Sequence, residues 1–125
     1  MAKIVVVDDD PDIVDAVKMF LEQAGHDVAT ATNRDDGMAL LKGETPDLAI
    51  LDCMMEQPDD GIVMARQLRG DGFDAPIIML SNIDAVTGQD YGQDEEINPV
   101  DLFQTKPVEP KKLLEEVNSL LNGKE

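Results

Sequence analysis

Residues 3–25 read KIVVVDDDPDIVDAVKMFLEQAG, and three chemistries follow one another within them. Lys3–Val7 is a short, continuous, β-branched run, the pattern of a strand buried on both faces. Asp10-Pro11 pairs an N-cap residue with proline at the first helical position. Ile13, Val14, Val17, Phe20, Leu21 and Ala24 then recur at helical spacing, and Gly25 supplies the stop. A buried strand, an acidic turn and an amphipathic helix in so short a span predict the first βα unit of a parallel sheet.

The same alternation continues along the rest of the chain. Asp27–Ala31 is a second short strand. Asn33 caps a helix carrying Met38, Ala39, Leu40 and Leu41, with Gly43 as its end. Residues 48–51 (LAIL) are a third buried strand, introduced by Thr45-Pro46. A helix through Ile62, Val63, Ala65, Arg66 and Leu68 ends near Gly70. Residues 76–80 (PIIML) form a fourth strand, and residues 101–104 begin a fifth. Leu113, Leu114, Val117, Leu120 and Leu121 mark a last amphipathic helix, with Gly123 behind it. Five short strands alternating with helices predict an α/β fold with helices on both faces of a parallel sheet. Right-handed crossovers leave few topologies, and the flavodoxin-like doubly wound order 2-1-3-4-5 is the commonest at this size. One stretch breaks the rhythm. Residues 85–100 (AVTGQDYGQDEEINPV) should hold the fourth helix, but Gly88, Gly92 and Pro99 predict a short or irregular one.

At 125 residues the expectation is one domain, spanning 1–125, and 42% hydrophobic residues exclude a disordered chain. No run approaches the roughly 18–20 apolar residues needed to span a bilayer, and the first apolar run is too short for a signal peptide. The single cysteine, Cys53, has no internal disulfide partner, which favours a reducing, cytoplasmic setting. Net charge is −17, so nucleic acid and anionic membranes should be repelled, and basic partner surfaces or metal cations favoured. Most of the acids read as solvated helix faces. Met19, Met38, Met64 and Met79 read as core filler, and His26 as a surface turn residue.

The acids that do not sit on helices collect at strand ends. The first strand ends in Asp8-Asp9, the third in Asp52, the fourth in Ser81 and the fifth in Lys106-Pro107. In a doubly wound sheet, sites form outside the carboxyl ends of the strands. Carboxylates crowded there repel one another, and a hard cation relieves the repulsion; Mg²⁺ prefers such oxygen ligands. No His/Cys set for zinc accompanies them. A carboxylate can act as nucleophile toward phosphorus, a metal and a lysine can neutralise the phosphoryl oxygens, and the Ser81 hydroxyl can donate a further hydrogen bond.

The segments VVDDDPDI (6–13), PDLAILDCMM (46–55), PIIMLS (76–81) and DLFQTKP (101–107) together resemble the receiver domain of two-component response regulators, of which the chemotaxis-regulator-like fold is typical. The resemblance covers nearly the whole chain. It implies that Asp52 is the phosphoacceptor, that Asp9 ligates Mg²⁺ directly and that Asp8 completes the acidic pocket. It further implies that Met54 lends a backbone carbonyl to the metal, that Lys106 pairs with the phosphoryl group and that Pro107 follows a cis peptide bond. Ser81 and Phe103 take the switch positions, whose movement changes the surface around the fifth strand and its flanking helices. The expected partners are a histidine kinase or phosphotransfer protein and a downstream protein. The chain itself is expected to be a monomer or weak dimer and a signalling module, not an enzyme beyond catalysing its own phosphorylation and dephosphorylation. A phosphorylation-independent interaction domain on the same fold is the alternative.

Three features depart from that family pattern. The loop after Asp52 reads CMMEQPDDG (53–61) and is one residue longer than usual. Asn82 replaces the usual small residue after the switch hydroxyl. The third is the irregular 85–100 stretch. Two enzyme classes on similar folds fit poorly. Flavodoxins need a Ser/Thr/Gly-rich phosphate loop where DDDPD stands, and aspartate-nucleophile phosphatases want an acid where Met54 stands.

Overall fold

A computed structural model describes residues 2–52, 60–81, 102–105 and 109–123. They form β1 (Lys3–Val7), α1 (Pro11–Gln23), β2 (Asp27–Ala31), α2 (Arg34–Glu44), β3 (Leu48–Asp52), α3 (Asp60–Gly70), β4 (Ile77–Ser81), β5 (Leu102–Thr105) and α4, the last helix (Pro110–Gly123). The sheet is parallel throughout, in the order β2-β1-β3-β4-β5, as the alternation of buried strands and amphipathic helices predicts. The helix expected within 85–100 lies outside the described residues. Among the described residues no helix is long and apolar enough to cross a membrane.

Strand alternation divides the core in two. Ile4, Val6, Leu48, Ile50, Ile78 and Leu80 pack with Val17 and Leu21 of α1 and Leu113 and Val117 of α4. Val5, Val7, Ala49, Leu51, Ile77 and Met79 pack with Leu41 of α2 and Met64 and Leu68 of α3. The central strands are fully buried, which is why their sequences are continuous apolar runs.

Local signals set most element ends. The Asp10 carboxylate accepts the Asp12 N–H and Pro11 starts α1, as expected. At its far end Gly25, with φ 98°, donates to the Glu22 carbonyl, and His26 N–H donates to Leu21 O, the paired bonds that close a helix on glycine. Asn33 caps α2 by accepting the Asp36 N–H at 2.8 Å. α3 ends at Gly70, and its turn is completed by Gly72, with φ 97°.

Three expectations are corrected. Met19 is not core: it is 57% exposed, because it falls between Val17 and Leu21 on the far side of α1. His26 is half-buried, and its Nδ1 accepts the Ala2 N–H at 3.2 Å, tying the start of β1 to the α1–β2 turn. α2 does not stop at Gly43. It continues to Glu44, and the left-handed residue is Thr45, with φ 45° and ψ 63°. The chain beyond Thr45 is held in place: Pro46 is buried, Asp47 N–H donates to Lys3 O at 2.7 Å, and Asp47 Oδ2 accepts the Lys3 N–H. The reversal between α2 and β3 is therefore absorbed at Thr45. A left-handed β-branched residue costs roughly 1–2 kcal/mol, and glycine gives back about 0.5–1 kcal/mol of that in unfolded-chain entropy. Thr45→Gly is thus expected to stabilise the protein by about 0.5–1 kcal/mol, read as a melting temperature a few degrees higher. An unchanged or lower melting temperature would show that Thr45 is unstrained.

The amino ends of the strands carry a charged cluster. The β1–β2 register sets Lys3 opposite Asp27, and its ammonium lies 3.7 Å from that carboxylate while also binding Glu44. The Lys3 pKa is raised above the ordinary lysine value, chiefly by the Glu44 hydrogen bond.

Candidate functional site

At the opposite end of the sheet, register and alternation bring two acids together. Val7 of β1 lies beside Leu51 of β3, so one step further along each strand stand Asp8 and Asp52. Both have the parity of Ile4, Val6, Leu48 and Ile50, and so belong to the α1 and α4 face. Asp8 is fully buried and Asp52 is 3% exposed; they are the only buried charged residues among those described. Asp9 is exposed at the rim. One carboxylate oxygen from each of Asp8, Asp9 and Asp52 lies within 4.8 Å of the others.

The three consecutive acids after β1 have separate duties. Asp8 N–H donates to Ala31 O at 3.2 Å, extending the sheet one residue past the strand. Asp8 Oδ1 accepts the Asp10 N–H at 2.9 Å, which turns the chain toward α1 and sets the carboxylate's direction. Asp10 caps the helix. Asp9 is left exposed, with a carboxylate oxygen close to those of Asp8 and Asp52. The amino end of α1 comes directly after, and its partial positive charge favours anions beside it.

The donor set fits a hard divalent cation. Three carboxylates supply only oxygen, with a buried pair and an exposed third that leaves a solvent-facing side for waters or a phosphate oxygen. No imidazole or thiolate joins them among the described residues, so the set suits Mg²⁺ rather than zinc.

The remaining predicted residues are placed in part. Asp52 pairs with Leu80 of β4, so Ser81 stands one step beyond it on the neighbouring strand, and Ser81 in turn pairs with Thr105 of β5. Phe103 pairs with Met79 in the sheet. These are backbone positions. Met54, Lys106 and Pro107, with Cys53, Asn82 and the loop of residues 53–59, lie outside the described residues; Lys106 directly follows Thr105, the last residue of β5.

Two supporting residues escaped the reading of the sequence. A Cβ added to Gly37 would come within 2.7 Å and 2.8 Å of the Val7 methyls and 3.2 Å of the Met64 methyl. Gly37 therefore lets α2 lie flat against the residue that precedes Asp8. Glycine in mid-helix was the available signal. Arg69 donates through one guanidinium nitrogen to the Phe73 and Ala75 carbonyls, at 2.9 and 2.8 Å, and lies 5.9 Å from the Phe73 ring centre. It thereby fixes the turn into β4, and nothing in the local sequence pattern points to it.

Comparison with known proteins agrees with the geometry. The family model for the response regulator receiver domain matches residues 4–118. The chain is 35% identical over 98% of its length to the alkaline phosphatase synthesis transcriptional regulatory protein PhoP of Bacillus subtilis, covering 50% of that protein. It is 34% identical over 98% of its length to PilH of Pseudomonas aeruginosa, covering 100% of it. The chain thus spans about half the length of PhoP and of the similarly matched RpaA of Synechocystis, and all of PilH. Among solved structures, a Francisella response regulator receiver domain superposes with a TM-score of 0.87 at 28% identity, with 100% of both chains covered. TrrA of Thermotoga maritima, solved in complex with Mg²⁺-BeF, superposes with a TM-score of 0.81 at 29% identity, covering 96% of this chain and 99% of that one. This chain belongs to the response regulator receiver family, whose general work is phosphorylation-dependent signalling in two-component systems.

Proposed function

We propose that Asp52 is a phosphoacceptor, charged by a histidine kinase or phosphotransfer protein, and that the resulting change is read by a protein partner. The observation that carries this reading is the meeting of the Asp8, Asp9 and Asp52 carboxylates at the carboxyl end of a receiver sheet. A carboxylate oxygen of Asp52 attacks the phosphorus of the donor; the bond from phosphorus to the donor breaks, and the donor leaves with the electron pair. Asp8, Asp9 and Asp52, with the Met54 carbonyl, are the groups that would hold Mg²⁺. Bound there, Mg²⁺ supplies positive charge against the phosphoryl oxygens. Burial of Asp52 keeps bulk water from the acyl phosphate, and Asp8, anchored through the Asp10 N–H, keeps the carboxylates in register. Lys106 neutralises a phosphoryl oxygen, Ser81 donates a hydrogen bond to another, and Phe103 reports the change to the surface. On this reading the chain is a signalling module that acts on itself, not an enzyme with a separate substrate.

The direct test is incubation with a small phosphodonor and Mg²⁺, followed by intact mass. The protein is expected to gain one phosphoryl group, dependent on Mg²⁺. No gain at any donor concentration would leave a receiver fold that signals without phosphorylation.

A second expectation concerns lifetime. Met54 and Ile83 stand two residues past the acceptor and two past the switch hydroxyl, and neither side chain can orient an attacking water. Self-dephosphorylation is expected to be slow. Met54→Asn combined with Ile83→Glu should speed the decay of the phosphorylated protein by about tenfold or more, since a positioned polar group contributes on that scale. Equal decay rates would remove these positions from the account.

A further inference from the structure

We propose that the free edge of β2, with the groove that α2 forms beside it, takes an extended basic segment of a partner protein as an added strand. Among the described residues β2 is the outer strand of the sheet and pairs with β1 alone. Asp27 N–H donates to Ala2 O at 2.8 Å, and Ala31 O accepts the Asp8 N–H at 3.2 Å. These two bonds set the phase of the ladder: Asp27, Ala29 and Ala31 turn their backbone groups toward β1. Val28 and Thr30 turn theirs outward, away from the sheet. The edge reads DVATA, with no lysine, proline or bulge of the kind that guards exposed edges.

A groove of about 490 Å³ runs beside this edge, lined by Thr30, Ala31, Thr32, Asp36, Leu40 and Glu44 among others. It offers two threonine hydroxyls and an apolar floor, with a carboxylate at either end. The lining contains no basic side chain. Lys3 reaches Glu44 and Asp27 from β1, so Asp36, whose carboxylate accepts a hydrogen bond from the neutral Asn33 amide, supplies the local negative charge. The chain as a whole carries −17.

These features select the occupant. Outward N–H and C=O groups on alternate residues recognise an extended backbone, and the apolar floor accepts every second side chain. The charge rejects a second copy of this chain, which would bring −17 to an acidic edge, and attracts lysine or arginine. A partner segment alternating basic with small or β-branched apolar residues meets all three requirements. The groove lies across β2 from Asp8, whose N–H bonds the inner side of that strand at Ala31, and neither Asp8 nor Asp52 lines it, so the proposal stands or falls independently of phosphorylation.

The test uses the full chain, isotope-labelled for NMR, titrated with a blocked peptide of alternating lysine and valine, with alternating glutamate and valine as the control. The lysine peptide is expected to shift the Val28 and Thr30 amides first and to slow their hydrogen exchange; the glutamate peptide should do neither. Thr30→Pro removes an outward N–H and leaves the ladder to β1 intact, since proline is tolerated on edge strands. It is expected to weaken binding by about tenfold. Should that variant not fold, Asp36→Asn keeps an acceptor for Asn33, removes the charge, and is expected to weaken binding and flatten its salt dependence. The proposal is overturned if the shifts centre on Asp8, Asp9 and Asp52, or if both peptides act alike. It is equally overturned if neither peptide binds, if the variants bind as the parent does, or if the Val28 and Thr30 shifts depend on protein concentration without peptide.

Discussion

Asp52→Asn is expected to take up no phosphoryl group and yet, without divalent cation, to melt at a higher temperature than the parent. The loss comes from removing the nucleophile that the proposed chemistry requires. The gain is electrostatic. One oxygen each of Asp8, Asp9 and Asp52 lies within 4.8 Å of the others, and Asp8 and Asp52 are buried. At an effective dielectric constant near 20, two charges at that separation repel by about 3 kcal/mol. Amide replacement removes two such repulsions and also weakens whatever favourable contacts the native carboxylate makes, so a net gain of about 1–3 kcal/mol is expected. For a chain of this size that is a rise of about 4–10 °C. Mg²⁺ should raise the melting temperature of the parent, because a ligand that binds only the folded state stabilises it, and should do so much less for the variant. Thermal denaturation with and without Mg²⁺, beside intact mass after phosphodonor treatment, reads all three effects. A variant less stable than the parent in chelator would mean that the three acids are not held against one another.

Gly37→Val is expected to cost about 2–4 kcal/mol of stability. Even a single methyl at this position would stand 2.7 Å from Val7, which is itself fully buried and β-branched. Val7 has no freedom to move aside in a close-packed core, and inserting extra carbons into such a site costs roughly 1–3 kcal/mol. The β-branched valine adds two methyl groups on that carbon to be placed and gains little helix propensity. Gly37→Ala should cost less, because its helix propensity offsets part of the crowding by about 1 kcal/mol. Chemical denaturation of both variants checks the order. Equal stability of Gly37→Val and parent would show that α2 can lift from the sheet freely. The two substitutions should also differ in kind. Asp52→Asn changes the site and spares the core, whereas Gly37→Val strains the core beneath Asp8.

Much of this was legible in the chain itself. Residues 4–7 and 48–51 are buried on both faces, so their sequences had to be uninterrupted apolar runs, and that made the parallel sheet readable. Asp10-Pro11, Gly25 and Asn33 are short-range signals, and each ends or begins a helix where it was expected. The acids at the ends of β1 and β3 were legible for the same reason: a charged residue ending an apolar strand has no local purpose once Asp10 has capped the helix. The ends of α2 and the face of Met19 were less so. The first depends on how β3 is docked through Asp47 and Lys3, and the second on which helical stripe the sheet covers.

What the sequence determined by itself was the kind and order of elements and the identity of the acids, because hydrophobic period and capping act over a few residues. Only the tertiary structure decided that the carboxylates of Asp8, Asp9 and Asp52 meet, that Gly37 seats α2 on Val7, and that the backbone groups of Val28 and Thr30 point away from β1. Those are matters of strand register and of contact between residues far apart in the chain, and register is set by the packing of the whole sheet.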